Sequence, residues 1–547
     1  MKKKGLKKNT FIQGTLIASI SMIFIKVIGA IYVVPFYAII GESGGTLYSY
    51  AYSIYNLFLN ISTAGVPIAM SMIISEYLTL NMYDAKERAY KIGKKMIFAL
   101  SFIAFIIVFL GSSLLAKFIL SDVTGGHTIK EVSLVIKAIA PCLLIIPFLS
   151  VLRGYMQGHK FISPTSFAQV IEQVVRILIV IFGALIAKQF FSEISPVVAI
   201  ALTGTFFGGL ISYLYLRKKV KDNKKEFPLS EKRDGVKDKT IAKKILAYCL
   251  PIVLISITDN IYTLVDIKLI IKGLNMIGYD AMSAEIISGV VSTWAPKICS
   301  IIMTISLALT TNIIPHVTSN FIKKDYKGVN YRVNQAMSTI LIITVPMSLL
   351  LFMLSSEAYY LFYGSSNYGS LILKASAISH TFLGIWTVLS SSLQGMQKFK
   401  VIYKNSFIGI ITNALLDIPL ILLFNKIGVS PYIATVVATS IGYTTSIILS
   451  LRYLKKTMKF EYDKTFDILK KIILPCICMI LPIIVGKQLI TYNITTLASF
   501  ITLGIYGLMG MLIYLFMTYK NNSLQEVLGE DLINNVLKKL HLKKIDA

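Results

Sequence analysis

Residues 152–177 read LRGYMQGHKFISPTSFAQVIEQVVRI, and the chain on either side is almost pure hydrocarbon. Arg153, His159, Lys160, Glu172 and Arg176 fall in this one stretch, with Gln157, Gln169 and Gln173 among them. What these polar groups are for depends on the solvent around the chain. Of 547 residues, 55% are hydrophobic and only 15% are charged, where an average soluble domain carries about 25% charged residues. Apolar runs of 18 or more residues recur from end to end, each long enough to cross a hydrocarbon core about 30 Å thick. A transmembrane barrel would show alternating segments of about ten residues, and the sequence has none. The fold class is therefore an all-α polytopic membrane protein.

A net charge of +28 raises nucleic acid as a partner. The basic residues, however, sit in short loops between apolar spans, as the positive-inside rule expects, so no nucleic acid is expected. The pattern gives fourteen spans: 11–40, 47–80, 96–120, 131–157, 163–188, 194–216, 244–272, 284–318, 335–356, 371–396, 404–425, 431–453, 466–487 and 494–519. The opening MKKKGLKK has five lysines, residues 81–95 carry five Lys or Arg, and residues 217–244 carry twelve. The alternate loops GESGGT, SDVTGGHTIK, SEAYYLFYGSSNYGS and NKIGVS carry at most one each. That alternation puts both termini in the cytoplasm of a multi-pass plasma-membrane protein. The first apolar run has no small-residue cleavage site and reads as a retained span, not a signal peptide. Cys142, Cys249, Cys299, Cys476 and Cys478 mostly lie in apolar runs without metal-ligand spacing, so they read as packing residues.

The charged segment from Arg217 to Lys244 divides the chain into two halves of six spans, plus two more. LRGYMQGHKF at 152–161 recurs as SSSLQGMQKF at 390–399, each copy ending the fourth span of its half. An even number of spans per half makes the copies parallel, related by an axis along the membrane normal. The expected organisation is an N-lobe over 1–216, a basic cytoplasmic linker over 217–243, a C-lobe over 244–453, two further helices over 454–519 and a cytoplasmic tail over 520–547. In the tail, Ser523 and Glu526 stand at capping-box spacing, and Leu524, Val527, Leu528, Ile533, Val536, Leu537 and Leu540 recur at helical intervals. This predicts an amphipathic surface helix over 522–544.

Thr165, Gln169, Glu172, Gln173 and Arg176 fall at i, i+4, i+7, i+8 and i+11, which is one face of one helix. A charge on a lipid-facing surface would cost about 3 kcal/mol on insertion scales, so the stripe faces the bundle interior or water. Glu172 and Arg176 are one turn apart and are expected to pair. Two readings fit: a structural ion pair that locks helices together, or a wall of a hydrated cavity for a charged, sugar-bearing substrate. Other intramembrane charges imply a polar interior. They are Lys26 in SMIFIKVIGAIYVV, Lys297 in STWAPKICSIIM, the Asp259–Thr263–Asp266 face, and the Asn413–Asp417 pair one turn apart. The basic groups Lys26, Arg153, Arg176 and Lys297 suit phosphate oxygens. The oxygens of Asp266, Asn413 and Asp417 suit a small hard cation such as sodium, or a proton. Both sets together fit an ion-coupled transporter of an anionic substrate.

These residues also carry a resemblance. The stretches IKVIGAIYVVPF (25–36), GGTLYSYAYSIYNLFLNISTAGVPIAMSMIISEY (44–77), LRGYMQGHKFISPTSFAQVIEQVVRI, LTTNIIPHVTS (309–319) and SSSLQGMQKF resemble the multidrug/oligosaccharidyl-lipid/polysaccharide exporter superfamily. Within it they resemble the MurJ-type lipid II flippases of Gram-positive bacteria, with the stage V sporulation protein B group as the nearest competitor. The resemblance covers nearly the whole chain. It implies two six-helix lobes in pseudo-twofold arrangement around a central cavity, and two added helices that form a groove for a polyprenyl tail. It implies that Lys26 and Lys297 contact the substrate's diphosphate, and that Asp266, Asn413 and Asp417, with Thr435 or Thr439, form a sodium site. Gram-negative members carry further arginines where Tyr32 and the Phe58–Asn60 region stand here, which points to Arg153 or Arg176 as replacement contacts. The expected substrate-binding set is Lys26, Arg153, Glu172, Arg176 and Lys297.

The expected function is a flippase that moves undecaprenyl-diphosphate-linked sugar, lipid II foremost, from the inner to the outer leaflet by alternating access. No bond is made or broken, so no enzyme is expected. No organic cofactor is expected either, and sodium is the candidate coupling ion. The partners are the lipid-linked oligosaccharide and membrane lipids, and the expected state is a monomer. The rivals are a flippase for another polyprenyl-linked glycan or for the spore cortex, a drug/cation antiporter of the same superfamily, and a polytopic glycosyltransferase. An antiporter would favour an acidic or aromatic cavity. A glycosyltransferase would place acidic residues in a large outer loop, where the first loop here is only GESGGT.

Overall fold

Inside a bilayer every backbone N–H and C=O must be bonded within its own segment or barrel, so long apolar spans become helices. The computed structural model describes residues 17, 21–22, 24–29, 31–63, 65–120, 126–227, 234–489 and 493–530. For 224, 255, 259, 304–312 and 315 it describes the backbone only. Every regular element among these residues is helical: α1 Val33–Thr63, α2 Val66–Thr79, α3 Tyr83–Leu110, α4 Ser112–Leu120, α5 Ile129–Ile139, α6 Cys142–Gly158, α7 Ile162–Phe190, α8 Ile194–Asp222, α9 Asp238–Met276, α10 Ala281–Gly289, α11 Ala295–Ile322, α12 Tyr326–Met353, α13 Ser355–Tyr363, α14 Gly369–Gly395, α15 Phe399–Lys426, α16 Ala434–Met458, α17 Asp463–Leu489, α18 Thr496–Lys520 and α19 Ser523–Leu528, with short 3-10 and π turns between.

Thirteen stretches are long and apolar enough to cross a membrane, the first of them 56 residues over Phe24–Thr79. At 1.5 Å per residue that is about 84 Å, far more than one crossing needs. It breaks at Gly41, whose φ of 66° and ψ of −172° lie in a region open essentially to glycine alone. The break falls between the expected spans 11–40 and 47–80, so this stretch supplies two crossings and the count of fourteen stands. Two expected loops are helical instead. Residues 83–95 form the first turns of α3, and Ser355–Tyr363 form α13. Of the expected tail helix, α19 is described only to Leu528, and residues from 531 lie outside the described ones. Ser523 makes no capping box: its hydroxyl donates to Asn521 Oδ1 at 2.7 Å, and Glu526 pairs with Lys471 at 2.6 Å. Four of the five cysteines are buried, as packing residues should be.

The internal repeat is visible in backbone geometry. After α6, Lys160 has φ 67°; its N–H bonds Gln157 O at 2.9 Å, and the N–H of Phe161 bonds Met156 O at 3.0 Å. After α14, Gln397 has φ 56°; its N–H bonds Gln394 O at 2.9 Å, and the N–H of Lys398 bonds Leu393 O at 2.9 Å. Both are Schellman turns, in which two orphan carbonyls at a helix end are satisfied by a reversal through the left-handed region. The same turn closes α2 at Asn81 and α11 at Lys324. Each pair is separated by six spans, as a parallel repeat requires.

By contact the chain forms two compact units, Met1–Asn275 with Tyr279–Gly289, and Met276–Gly278 with Val290–Ala547. The first unit extends past residue 216 because the start of α9 joins its core: Ile241, Ile245 and Cys249 are buried with Met70, Ile73, Ala89 and Leu152. The linker before α9 is held too. Phe227 packs against Tyr155, His159 and Phe161 at ring distances of 5.5, 4.9 and 5.3 Å. Asp234 Oδ2 accepts from the Ala85 N–H at 2.8 Å, and Arg88 donates to Val236 O and Asp238, both at 2.6 Å.

Candidate functional site

The opening stretch folds as the end of α6, a Schellman turn and the start of α7. This hairpin returns α7 beside α6 and brings Arg153 to Glu172. Arg153 Nη2 meets Glu172 Oε2 at 2.5 Å and reaches Ser212 Oγ of α8 at 3.5 Å. The two charged side chains are 13% and 20% exposed. α8 approaches α7 closely through Gly204 and Gly208, where a Cβ on Gly208 would stand 2.6 Å from Glu172 O; small residues allow such approach in membranes. The expected Glu172–Arg176 pair is therefore corrected. Glu172 takes its partner from the neighbouring helix, and Arg176 donates to Gln173 on its own helix. Arg176 lies within electrostatic reach of the phenols of Tyr32, Tyr48 and Tyr52, and Tyr48, Tyr52 and Tyr55 form a ladder with ring spacings of 5.3 and 5.7 Å. The Nε atoms of Arg153 and Arg176 are both buried and make no hydrogen bond among the described residues.

Lys26 has an exposed side chain in the isolated chain. Its helix touches the stripe one turn later, where a Cβ on Gly29 would stand 3.0 Å from Gln173 Nε2. The first unit thus gathers Arg153, Glu172, Gln173 and Arg176, with the Lys26 helix against them.

In the second unit, Lys297 lies in the first turn of α11, directly after a π-helical segment, Val290–Trp294. Such segments are local departures from helix often found at functional sites. Lys297 Nζ stands 4.0 Å from the centre of the Trp294 ring, and Tyr363 donates to Trp294 O at 2.9 Å. Elsewhere in this unit, Asn413 and Asp417 of α15 and Thr435 of α16 are fully buried. Asn413 Nδ2 stands 3.5 Å from Asp417 Oδ1 and 3.3 Å from Thr439 Oγ1. Thr435 Oγ1 is buried and makes no hydrogen bond among the described residues. A carboxylate, an amide oxygen and two hydroxyls form a hard-oxygen set, and the orphaned Thr435 hydroxyl fits a cation that would use it. Asp266 of α9 is 7% exposed and belongs to the first unit; the side chain of Asp259 lies outside the described residues.

Sequence reasoning missed three contributors. Ser212 and the tyrosine ladder carry no charge, so only packing reveals them. The third is a buried hydrogen-bonded contact: Glu285 of α10 meets His127 Nδ1 at 2.5 Å, and His127 Nε2 meets Ser43 at 2.8 Å. Thr128 and Glu131 form a capping box that fixes the loop just before α5, and the turn at Gly41 presents Ser43.

This architecture is that of a multi-pass helical membrane protein. The chain superposes on a solved structure, lipid II flippase MurJ in an inward closed conformation, with TM-score 0.67 and 19% identity over 95% of this chain and 100% of that one. An inward-facing multidrug resistance MATE family transporter of the MOP superfamily follows at TM-score 0.56 and 13% identity, over 79% and 98%. Residues 11–278 match the profile of the polysaccharide biosynthesis protein family. It is 27% identical over 543 residues to lipid II flippase MurJ of Bacillus subtilis (strain 168), covering 95% of this chain and 97% of that protein. It is 26% identical over 409 residues to stage V sporulation protein B of the same organism, covering 74% and 76%.

Proposed function

We propose that this chain moves lipid II, the undecaprenyl-diphosphate-linked peptidoglycan precursor, from the inner to the outer leaflet of the plasma membrane. The observation that carries the reading is the end-to-end match to lipid II flippase MurJ of Bacillus subtilis. The shorter span of the match to stage V sporulation protein B favours the first reading over a sporulation role.

The physical problem is a diphosphate, whose charge is costly to bring into hydrocarbon unless it is paired and hydrogen-bonded. Lys26 and Lys297 supply point charges, and Arg153 and Arg176 supply planar donors that match phosphate oxygens. Glu172 holds Arg153 in place, and Gln173 holds Arg176. The polyprenyl tail stays in lipid throughout, so only the polar head needs a path. Nothing in this task requires a covalent step, and transport follows if binding differs between inward-open and outward-open states. Asn413, Asp417, Thr435 and Thr439 would hold sodium as the coupling ion, neutralising a buried carboxylate that would otherwise take up a proton. The division into lobes over 1–216 and 244–453, with a linker over 217–243, a tail groove over 454–519, a surface tail over 520–547, cytoplasmic termini and a monomeric state, belongs to the same proposal.

The test is complementation. Expression of the chain in a bacterium depleted of its own lipid II flippase should restore growth. Failure to grow despite normal membrane levels of the protein would refute the assignment.

A further inference from the structure

At the basic ends of α7 and α8 there is a cavity of about 350 Å³, lined by Ile17, Ser21, Ser163, Phe167, Tyr215 and Lys219. That volume falls within the range of small-molecule sites, about 300–1,000 Å³. The lining is of two kinds. Ile17, Phe167 and the ring of Tyr215 are apolar, while Ser21, Ser163 and Lys219 bring two hydroxyls and one ammonium. Lys219 Nζ stands 5.6 Å from the centre of the Tyr215 ring, and that ring packs on Phe167 at 5.6 Å. The amine is therefore held over the apolar wall.

The depth is informative. Tyr215 lies at the end of the apolar run 194–216, and Arg217, Lys218 and Lys219 follow at once. Aromatic and basic residues meet in this way at the headgroup level of a bilayer. Away from the basic end, each helix keeps an exposed apolar stripe at helical spacing: Phe167, Val174 and Leu178 on α7, and Leu214, Ile211 and Phe207 on α8. A ligand for this place has a single negative charge at interface depth and a hydrocarbon chain that runs into the core. Basic pockets between transmembrane helices take lipid headgroups on this chemistry.

We propose that the cavity binds one anionic phospholipid, with its phosphate on Lys219, its headgroup hydroxyls beside Ser21 and Ser163, and an acyl chain along the exposed stripes. One lysine matches one phosphodiester charge. A diphosphate carries more charge than this cavity supplies, which separates the site from the groups assigned to the transported substrate.

The test is native mass spectrometry of the full-length protein released from nanodiscs containing phosphatidylglycerol and phosphatidylcholine. Wild type should retain one more phosphatidylglycerol than Lys219→Gln does. Lys218→Gln, the adjacent lysine outside the cavity lining, should retain as many as wild type, and so should Lys219→Arg. Phe167 is 54% exposed, so Phe167→Ala should leave the fold intact while weakening retention. It keeps the question open to measurement if Lys219→Gln folds poorly in neutral nanodiscs. Equal retention by wild type, Lys219→Gln and Phe167→Ala would overturn the proposal. So would equal loss in Lys218→Gln, retention of phosphatidylcholine to the same degree, or displacement of the retained lipid by inorganic phosphate or by undecaprenyl phosphate.

Discussion

The polar groups inside the first unit and those inside the second are assembled in opposite ways. In the first, guanidinium groups are pre-positioned by their own neighbours: Arg153 by Glu172 and Ser212, Arg176 by Gln173. In the second, α15 and α16 bring oxygens together: Asn413, Asp417, Thr435 and Thr439. A paired arginine keeps its geometry whether or not a ligand is present, and it still has donors to offer. A buried set of oxygens is served best by a cation. The guanidinium set is therefore suited to an anion, and the oxygen set to a small hard cation.

The largest effect is expected at Lys297, the basic residue of the second unit that departs from this division. Lys297→Ala should abolish complementation of a flippase-depleted strain while membrane levels of the protein stay near normal, and Lys26→Ala should do the same. Colony counts at wild-type level for both variants would remove these lysines from the anion path.

Next in size is the Arg153–Glu172 pair. Removing one partner of a buried pair leaves an uncompensated charge, which costs about 3 kcal/mol or more; partial exposure places Glu172→Ala at the lower end, about 3 kcal/mol. Unfolding in detergent should show that loss. The exchange Arg153→Glu with Glu172→Arg should regain much of it, because the pair reforms with its polarity reversed. If transport stays absent in the stable double variant, Arg153 acts on the substrate as well as on the fold. A double variant no more stable than either single would show that the pair is not a unit.

A smaller effect is expected from the cation. Sodium should raise the Tm of the purified protein more than equal potassium does, and Asp417→Asn should erase the difference. An identical Tm in the two salts for wild type would make the cluster a proton site or a hydrogen-bond cluster.

Thr435→Val should have the smallest effect. It exchanges a buried hydroxyl without a hydrogen bond for a methyl of the same shape, so stability in sodium-free buffer should change by no more than about 1 kcal/mol. The sodium-dependent shift should nevertheless shrink, which separates a ligand from a packing residue. An undiminished shift would take Thr435 out of the site.

Much of this fold is legible in the sequence because hydrocarbon leaves the backbone few choices. Spans, basic loops and the repeat of QG before a left-handed turn can be read directly. The partner of Glu172 cannot. Arg176 is one turn away and looks sufficient, but Arg153 reaches Glu172 across the Schellman turn at Lys160, and only the packing of α6, α7 and α8 decides between them. Loop expectations failed at residues 83–95 and 355–363 for a related reason: a helix can continue beyond the hydrocarbon when water or a neighbouring segment covers its polar face. The grip on Phe227, one aromatic residue in a strongly charged segment, has no periodic signal. The His127–Glu285 pair joins residues 158 positions apart, a separation at which spacing carries no information. The π segment before Lys297 likewise has no local sequence motif.

On this reading lipid II crosses the bilayer through this protein. Purified protein reconstituted into liposomes with lipid II on the inner leaflet tests it most directly, with the headgroup detected by a reagent that reaches the outer leaflet only. Headgroup accessibility should rise with wild-type protein, stay at the protein-free level with Lys297→Ala, and rise for lipid II but not for an ordinary phospholipid. Accessibility that stays at the protein-free level with wild-type protein, or that rises equally with Lys297→Ala, would contradict it.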